Sequence, residues 1–215
     1  MISALLLDLD DTLIDDRGAM ARAVLAFRTQ HQLCMGVDDA QLSLRWDSIG
    51  RALWRQLDLG ELGFDEQRRL RIKHTFALDI SDTEADRLFA DYLHCYEQNW
   101  TNYSYTLAFL EASAHLQRAI ITNGHRPQAH KKITQLGLNQ HFDIIVTPDD
   151  CGARKPDPKI FLYTLDKLNV APENALMIGD NLEADIAPAQ ALGIRVFHID
   201  HRQLGRTVLD VIEQL

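Results

Sequence analysis

Four consecutive apolar residues near the start of the chain, Ala4 to Leu7, lead directly into Asp8, and Asp10 follows two positions later. An apolar run without alternation predicts a strand buried on both faces, and such strands occur almost only in parallel sheets covered by helices. In open sheets of this kind, ligands bind beyond the carboxyl ends of the strands. The two carboxylates are therefore predicted to lie at a ligand site, unless they form an ordinary acidic turn, in which Asp is common.

Short apolar segments alternate with helical patterns along the second half of the chain. The predicted strands cover residues 118–122, 142–147, 175–178 and 194–199, and the predicted helices cover residues 127–136, 158–168, 182–192 and 204–214. Glycine and proline stand at several predicted helix ends, as is typical of helix stop and start signals. The alternation predicts an α/β fold with a Rossmann-like parallel sheet flanked by helices, to which the first strand also belongs.

The segment between the first strand and this alternating region contains helical patterns and few strand-like runs. One apolar stripe follows helical spacing from Leu42 to Leu53. A second helix is predicted to begin at Ser81, where S-D-T-E forms a capping box, and its apolar face continues to Tyr96. We therefore expect an inserted helical domain of residues 16–99, and a core made of residues 1–15 and 100–215.

The composition is that of an ordinary globular protein, with 215 residues, 46% of them hydrophobic, and a net charge of −9. This charge would repel nucleic acid backbones and anionic membranes, and no long basic tract opposes it. No apolar stretch approaches the roughly 20 residues of a membrane span, and no signal peptide is expected. Three cysteines without disulfide or zinc-site spacing fit a reducing cytoplasm. A small-molecule partner is favoured, and the oligomeric state stays open.

Polar groups of a matching kind stand at three further strand exits. They are Thr122, Asn123 and Gly124 in one motif, Lys155 just ahead of a helix, and Asp180 and Asp185 after another strand. Each is weak evidence alone, because a TNG tripeptide is usually a turn, a lone lysine is usually solvated, and a Gly-Asp pair usually caps a helix. Occurring together at the same end of the strands, they are predicted to share one site with Asp8 and Asp10.

With these motifs in this order, the chain resembles the haloacid dehalogenase superfamily of hydrolases, in the group whose helical cap is inserted after the first motif. The resemblance covers the whole length and implies a Rossmann-like core, a mobile cap and, as in most members, a Mg²⁺-dependent phosphatase. It implies that Asp8 is the nucleophile that forms an aspartyl-phosphate and that Asp10 is the general acid/base. It also implies that Lys155 stabilises charge on the nucleophile and the phosphate.

The resemblance also implies how phosphate and metal are held. Thr122 would bind the phosphoryl oxygens with help from Asn123 and Gly124. The residues implied for Mg²⁺ are Asp8, Asp10, Asp180 and Asp185, the last acting directly or through water. The TNG and KPDPKIF motifs are similar to those of pyrimidine 5'-nucleotidases and sugar-phosphate phosphatases. The expected substrate is therefore a small phosphorylated metabolite, either a nucleoside monophosphate or a sugar phosphate.

The charges of the motif residues also predict a bound metal ion, independently of the family resemblance. Four carboxylates and Lys155 carry a formal charge of −3, and two like charges about 4 Å apart repel by about 4 kcal/mol at an effective dielectric of about 20. Such a site would exclude a phosphate dianion. One Mg²⁺ brings the sum to −1, and a proton on Asp10 brings it to zero. The sequence therefore predicts both a bound metal and a protonated Asp10.

The same residues help to distinguish between a phosphatase and other activities found on this fold. The dehalogenases of the superfamily attack carbon and lack the second aspartate, so Asp10 argues against that activity. A phosphomutase keeps both aspartates and is the alternative left open. A noncatalytic binding protein is disfavoured because all the motif residues are present.

Contacts with the rest of a substrate are the part of the site that the sequence specifies least. Possible contacts are Trp54, Arg68 and Arg71 in the helical domain, and His125 after the TNG motif. A basic cluster such as that around Arg68 is usually a solvated helix face, and Trp54 continues near the apolar stripe, where a core position is expected.

Overall fold

The computed structural model describes residues 1–200 and 208–214. The chain divides into two compact units, one formed by Met1–Asp15 with Thr101–Leu215 and the other by Asp16–Trp100. The helical unit ends one residue later than the sequence analysis places its boundary. Among the described residues, no helix combines the length and the apolar character needed to cross a membrane.

The unit Asp16–Trp100 consists of four helices. They are α1 (Asp16–His31), α2 (Asp39–Asp58), α3 (Phe64–Phe76) and α4 (Asp82–Gln98). Two helix starts follow from local capping, because Asp38 accepts hydrogen bonds from the first turn of α2 and Ser81 accepts one from that of α4. The apolar faces of the helices meet in an aromatic cluster that includes Phe27, Trp46 and Tyr92.

The other unit contains a five-stranded sheet, which confirms the predicted fold class. Its strands are β1 (Ala4–Leu7), β2 (Gln117–Ile121), β3 (Ile144–Val146), β4 (Ala175–Gly179) and β5 (Arg195–His198). All neighbouring strands are parallel, in the order β3-β2-β1-β4-β5. The central strand is buried on both faces, since Leu5 and Leu7 join one apolar cluster and Leu6 joins another. The carboxyl ends of β2, β1 and β4 therefore lie side by side.

Helices cover this sheet. They are α5 (Thr106–Ala112), α6 (Arg126–Gln135), α7 (Pro148–Cys151), α8 (Pro158–Leu168) and α9 (Ala187–Ala191). Where one helix was predicted over residues 182–192, a π-helical turn, Leu182–Ile186, precedes α9. Pro188, in the first turn of α9, cannot donate the usual backbone hydrogen bond, and a wider turn accommodates this loss.

The last predicted helix, residues 204–214, falls partly outside the described residues. Its described part, Val208–Gln214, is a 3₁₀ helix and not an α-helix. The predicted strand over residues 142–147 is shorter than expected, because a 3₁₀ turn, Asn139–His141, leads into it and α7 begins at Pro148.

Candidate active site

Asp8 lies at the carboxyl end of the central strand, where its backbone N–H still donates to the Ile178 carbonyl oxygen of β4 at 2.9 Å. The residue is only 6% exposed. The Lys155 ammonium donates to Asp8 Oδ1 at 2.6 Å, and the Thr12 hydroxyl donates to Asp8 Oδ2 at 2.8 Å. Both carboxylate oxygens are thus held in place. Thr12 was not among the predicted site residues, although its position four residues after Asp8 was a usable signal.

Lys155 links two buried carboxylates. Its ammonium donates to Asp8 Oδ1 and to Asp185 Oδ1, both at 2.6 Å, and all three side chains are buried. The usual role of a lone lysine, a solvated surface charge, is therefore excluded here. One cation between two carboxylates offsets part of their repulsion and holds both in a defined geometry.

The burial of this cluster shifts its protonation. Burial raises the pKa of the Asp8 carboxyl to about 6; Lys155 opposes the increase, and Asp185 adds to it. The pKa of the Lys155 ammonium is raised, because the attraction of the two carboxylates outweighs the opposing effect of burial. A further cation beside Asp8 would favour the ionised form of its carboxyl.

The TNG motif follows β2 at the neighbouring strand end. The Thr122 hydroxyl is buried and accepts a hydrogen bond from the Gly124 N–H at 3.0 Å, which leaves the hydroxyl proton for donation to a ligand. The Asn123 amide forms two hydrogen bonds with the backbone of Lys155, one donated and one accepted, each 2.8 Å. The Asn123 side chain therefore anchors the Lys155 loop to the TNG loop. Contact between these residues and a phosphate stays a prediction.

Three carboxylates at this edge are close enough to share one cation. Asp8, Asp180 and Asp185 each offer an oxygen, and these atoms lie within 4.8 Å of one another. Asp185 is further held by the Asn181 N–H, which donates to its Oδ2 at 3.1 Å. A set of carboxylate oxygens suits a hard cation such as Mg²⁺, and the donor chemistry therefore fits the expected metal. Asp10, also expected among the metal ligands, is not part of this group.

The strand end at Gly179 leaves room for only a hydrogen atom beside Asp185. A Cβ atom at this position would lie 2.4 Å from Asp185 Oδ2 and 2.7 Å from Asp185 Cβ. The Asp185 side chain could not move away without breaking its hydrogen bonds to Lys155 and Asn181.

Replacing Gly179 by Ala is therefore expected to displace Asp185. We expect an unfolding free energy lower by about 1–3 kcal/mol, as for other overpacked sites, together with weaker Mg²⁺ binding. Chemical denaturation and Mg²⁺ titration would measure the two effects. The matched control is Gly36→Ala, because a Cβ atom there has nothing within 4 Å. Unchanged Mg²⁺ affinity in Gly179→Ala would contradict a role for Asp185 at the metal.

Asp10 pairs with a lysine that sequence analysis did not identify. The Lys132 ammonium donates to Asp10 Oδ1 at 2.5 Å, and Lys132 is only 3% exposed. Lys132 lies on the buried face of α6 with Ala129 and Ile133. A lysine at the spacing of these apolar residues was the signal available in the sequence.

This second cation corrects the charge argument made from the sequence. With Lys132 and Lys155 both included, the four carboxylates carry a formal charge of −2, and one Mg²⁺ would neutralise it. Electrostatics alone then favours a bound cation but does not call for a proton on Asp10. A proton on Asp10 is then needed only for transfer to the leaving group.

Three of the four possible substrate contacts, Trp54, Arg68 and Arg71, belong to the helical unit. Arg71 is 6% exposed and stands 4.2 Å over the Trp46 ring, so the expectation of a solvated face is wrong for this residue. Burial lowers the pKa of its guanidinium. Arg68 lies 4.1 Å over the Phe64 ring, and Trp54 packs edge-on against the same ring.

His125, the fourth possible contact, is exposed at the start of α6, where its carbonyl oxygen accepts the backbone hydrogen bond of Ala129 at 3.0 Å. A role in substrate binding for His125, Trp54, Arg68 or Arg71 stays a prediction.

Known proteins resemble the chain along its length. It is 26% identical to glyceraldehyde 3-phosphate phosphatase of Methanothermobacter thermautotrophicus, with 100% of this chain and 98% of the relative covered. It is 36% identical over 85 residues to phosphoserine phosphatase of Thermus thermophilus, a match that covers 40% of this chain and only 34% of the relative.

Solved structures share the fold. The HAD-hydrolase YfnB from Bacillus subtilis, solved with bound magnesium, superposes with a TM-score of 0.78 at 24% identity, covering 92% of this chain and 86% of that chain. Structures of 2-haloacid dehalogenases have the same fold. Residues 2–193 match the family model of the haloacid dehalogenase-like hydrolases. Because this match spans most of the sequence, the chain belongs to the haloacid dehalogenase-like hydrolase family.

Proposed function

We propose that the protein is a Mg²⁺-dependent phosphomonoesterase that acts on a small phosphorylated metabolite, a nucleoside monophosphate or a sugar phosphate. The observation that carries this proposal is the convergence of one oxygen each of Asp8, Asp180 and Asp185 within 4.8 Å of one another, with the Lys155 ammonium donating to Asp8 and Asp185. A buried nucleophile with a cation site beside it suits phosphoryl transfer, in which negative charge must be offset. Two relatives named as phosphatases of phosphorylated metabolites support the same activity.

The chemistry begins at Asp8. Its carboxylate oxygen forms a bond to phosphorus while the ester P–O bond breaks, which yields an aspartyl-phosphate and an alcohol. Asp10 gives its proton to the leaving oxygen and later takes one from the water that hydrolyses the aspartyl-phosphate. Thr12 and Lys155 hold the Asp8 carboxylate in the required orientation, since each donates to a different oxygen of it.

The other motif residues stabilise charge. The Thr122 hydroxyl would donate to a phosphoryl oxygen, with the neighbouring Asn123 and Gly124 shaping the loop. Asp8, Asp180 and Asp185 would hold Mg²⁺, the last directly or through water. When bound, Mg²⁺ neutralises negative charge and polarises a phosphoryl oxygen.

The inserted helical unit would serve as the cap domain. It follows directly after the segment that carries Asp8 and Asp10, and a cap that closes during the reaction would exclude bulk water. Within it, Trp54, Arg68 and Arg71 remain the candidates for substrate recognition, with His125 from the core. We also infer a reducing, cytoplasmic location, because the three cysteines are free.

A phosphate-release screen over nucleoside monophosphates and sugar phosphates tests the proposal. With Mg²⁺ present, we expect release from several monoesters; EDTA should abolish it, because without metal the carboxylates would exclude a phosphate dianion. The control is recovery of activity when excess Mg²⁺ follows the chelator.

Other outcomes of the screen point to other functions. Release that persists in EDTA would contradict the metal requirement, and no release from any monoester would contradict the phosphatase. Conversion between hexose phosphate isomers without net phosphate release would indicate a phosphomutase. Halide release from a 2-haloacid would indicate a dehalogenase.

A further inference from the structure

We propose that Lys132 is a positioning residue for Asp10, and that it holds this carboxylate for proton transfer to and from the reacting oxygens. The inference rests on the proposed phosphatase function and adds a residue outside the four motifs. Two observations and one charge argument support it, namely the burial of Lys132, the way it holds the two oxygens of Asp10, and its charge beside that carboxylate.

The first observation is a buried ammonium on an apolar helix face. Lys132 is 3% exposed and lies beside Ala129 and Ile133, which belong to the core cluster on that side of the sheet. Taking an ammonium out of water costs several kcal/mol. An apolar residue at this position would avoid that cost, so packing alone does not account for the lysine. A function that needs a positive charge here does.

The second observation is the way Asp10 is held. The Lys132 ammonium donates to Oδ1 at 2.5 Å, which restricts the rotation of the carboxylate. The other oxygen, Oδ2, faces the TNG loop, because a Cβ atom added at Gly124 would lie 3.8 Å from Asp10 Oδ2 and 3.1 Å from Thr122 Oγ1. One oxygen is thus anchored while the other lies on the side where the phosphate is proposed to bind.

The third element is charge. When Asp10 gives its proton to the leaving oxygen, a carboxylate is left behind, and the Lys132 ammonium stabilises that carboxylate. In the second step the same carboxylate must accept a proton from the attacking water, and it must lie at the correct distance. Lys132 would therefore act through Asp10 without touching the substrate.

The leaving group supplies the sharpest test of this role. An alkyl phosphate needs a proton on its leaving oxygen, whereas p-nitrophenolate is stable enough to depart without one. In Lys132→Met, which keeps the length of the side chain but removes its charge, we expect kcat/KM for an alkyl phosphate, which reports the steps up to formation of the aspartyl-phosphate, to fall by about 10²-fold. We expect kcat/KM for p-nitrophenyl phosphate to fall much less, and KM not to rise for either ester.

Matched variants separate this role from a structural one. Lys132→Arg should recover part of the lost kcat/KM, because a guanidinium can still donate to Asp10. Lys131→Met, which removes an exposed lysine from the same helix, should behave like the wild type. Adding Asp10→Asn to Lys132→Met should lower kcat/KM for the alkyl phosphate little below that of Asp10→Asn alone, because both changes disable the same proton transfer.

Each contrary result has a distinct meaning. An equal fall in kcat/KM for the two esters, or a large rise in KM, would overturn the inference while leaving the phosphatase intact. Fully additive effects of Lys132→Met and Asp10→Asn would overturn it as well. A wild type that releases no phosphate from either ester would overturn the proposed function, and the inference with it.

Discussion

Asp8→Asn is expected to lower kcat/KM for phosphate release by at least about 10⁴-fold, as removal of a nucleophile does in other enzymes. The amide keeps the size of the carboxylate and its place at the end of β1, but its oxygen is a poor nucleophile. The expected loss is therefore chemical and not a loss of fold. It is measured by steady-state kinetics on the best substrate of the screen.

The control for this change is a matched Asp-to-Asn variant on the surface. Asp166 lies exposed on α8, and Asp166→Asn should keep wild-type activity. Circular dichroism of both variants would establish that they are folded. If Asp8→Asn retained more than about a tenth of the wild-type rate, a direct attack by water or another nucleophile would replace the covalent route.

Lys155→Met is expected to lower the unfolding free energy by about 3–5 kcal/mol in the absence of metal. The variant removes the one ammonium that donates to both Asp8 and Asp185, and it leaves two buried carboxylates facing each other. The same loss should slow phosphate release by about 10²–10³-fold, because the proposed role of Lys155 includes stabilising charge on the phosphate. Urea unfolding in EDTA and steady-state kinetics measure the two effects.

Mg²⁺ provides an internal check on this prediction. Since the cation would lie beside the same two carboxylates, adding it should stabilise Lys155→Met more than it stabilises the wild type. Lys159→Met, an exposed lysine on the adjoining helix, should leave both stability and rate near the wild-type values. A Lys155→Met protein as stable as the wild type in EDTA would show that Lys155 does not compensate the buried charge.

The sheet and the strand-end residues could be predicted because their signals are local. An unbroken apolar run specifies a buried parallel strand, and β2, β1 and β4 are neighbours, so their polar ends share one edge. This placed Asp8, Thr122 and Asp180 together before any contact was known. The cap at Ser81 was likewise predictable, because a cap acts within a few residues of its own helix.

Helix details that depend on tertiary contacts were less predictable. The apolar pattern over residues 182–192 is helical, yet the wider turn Leu182–Ile186 precedes α9 and places Asp185 against Lys155. Arg71 lies in a basic cluster that resembles a solvated face, but that side of α3 packs on Trp46. Sequence spacing specifies which side chains share a helix face, and only packing decides what that face meets.

The sequence by itself determined the acidic cluster at the end of β1, the order of the motifs and the edge of the sheet at which they meet. Only the tertiary structure decided how these charges are paired. Lys155 forms ion pairs with Asp8 and Asp185, and Lys132 forms one with Asp10. The reason is distance along the chain, because local rules end within a few residues, whereas Lys132 and Asp10 are 122 positions apart. Their contact depends on how α6 packs against the sheet, and this pairing removed the electrostatic need for a proton on Asp10.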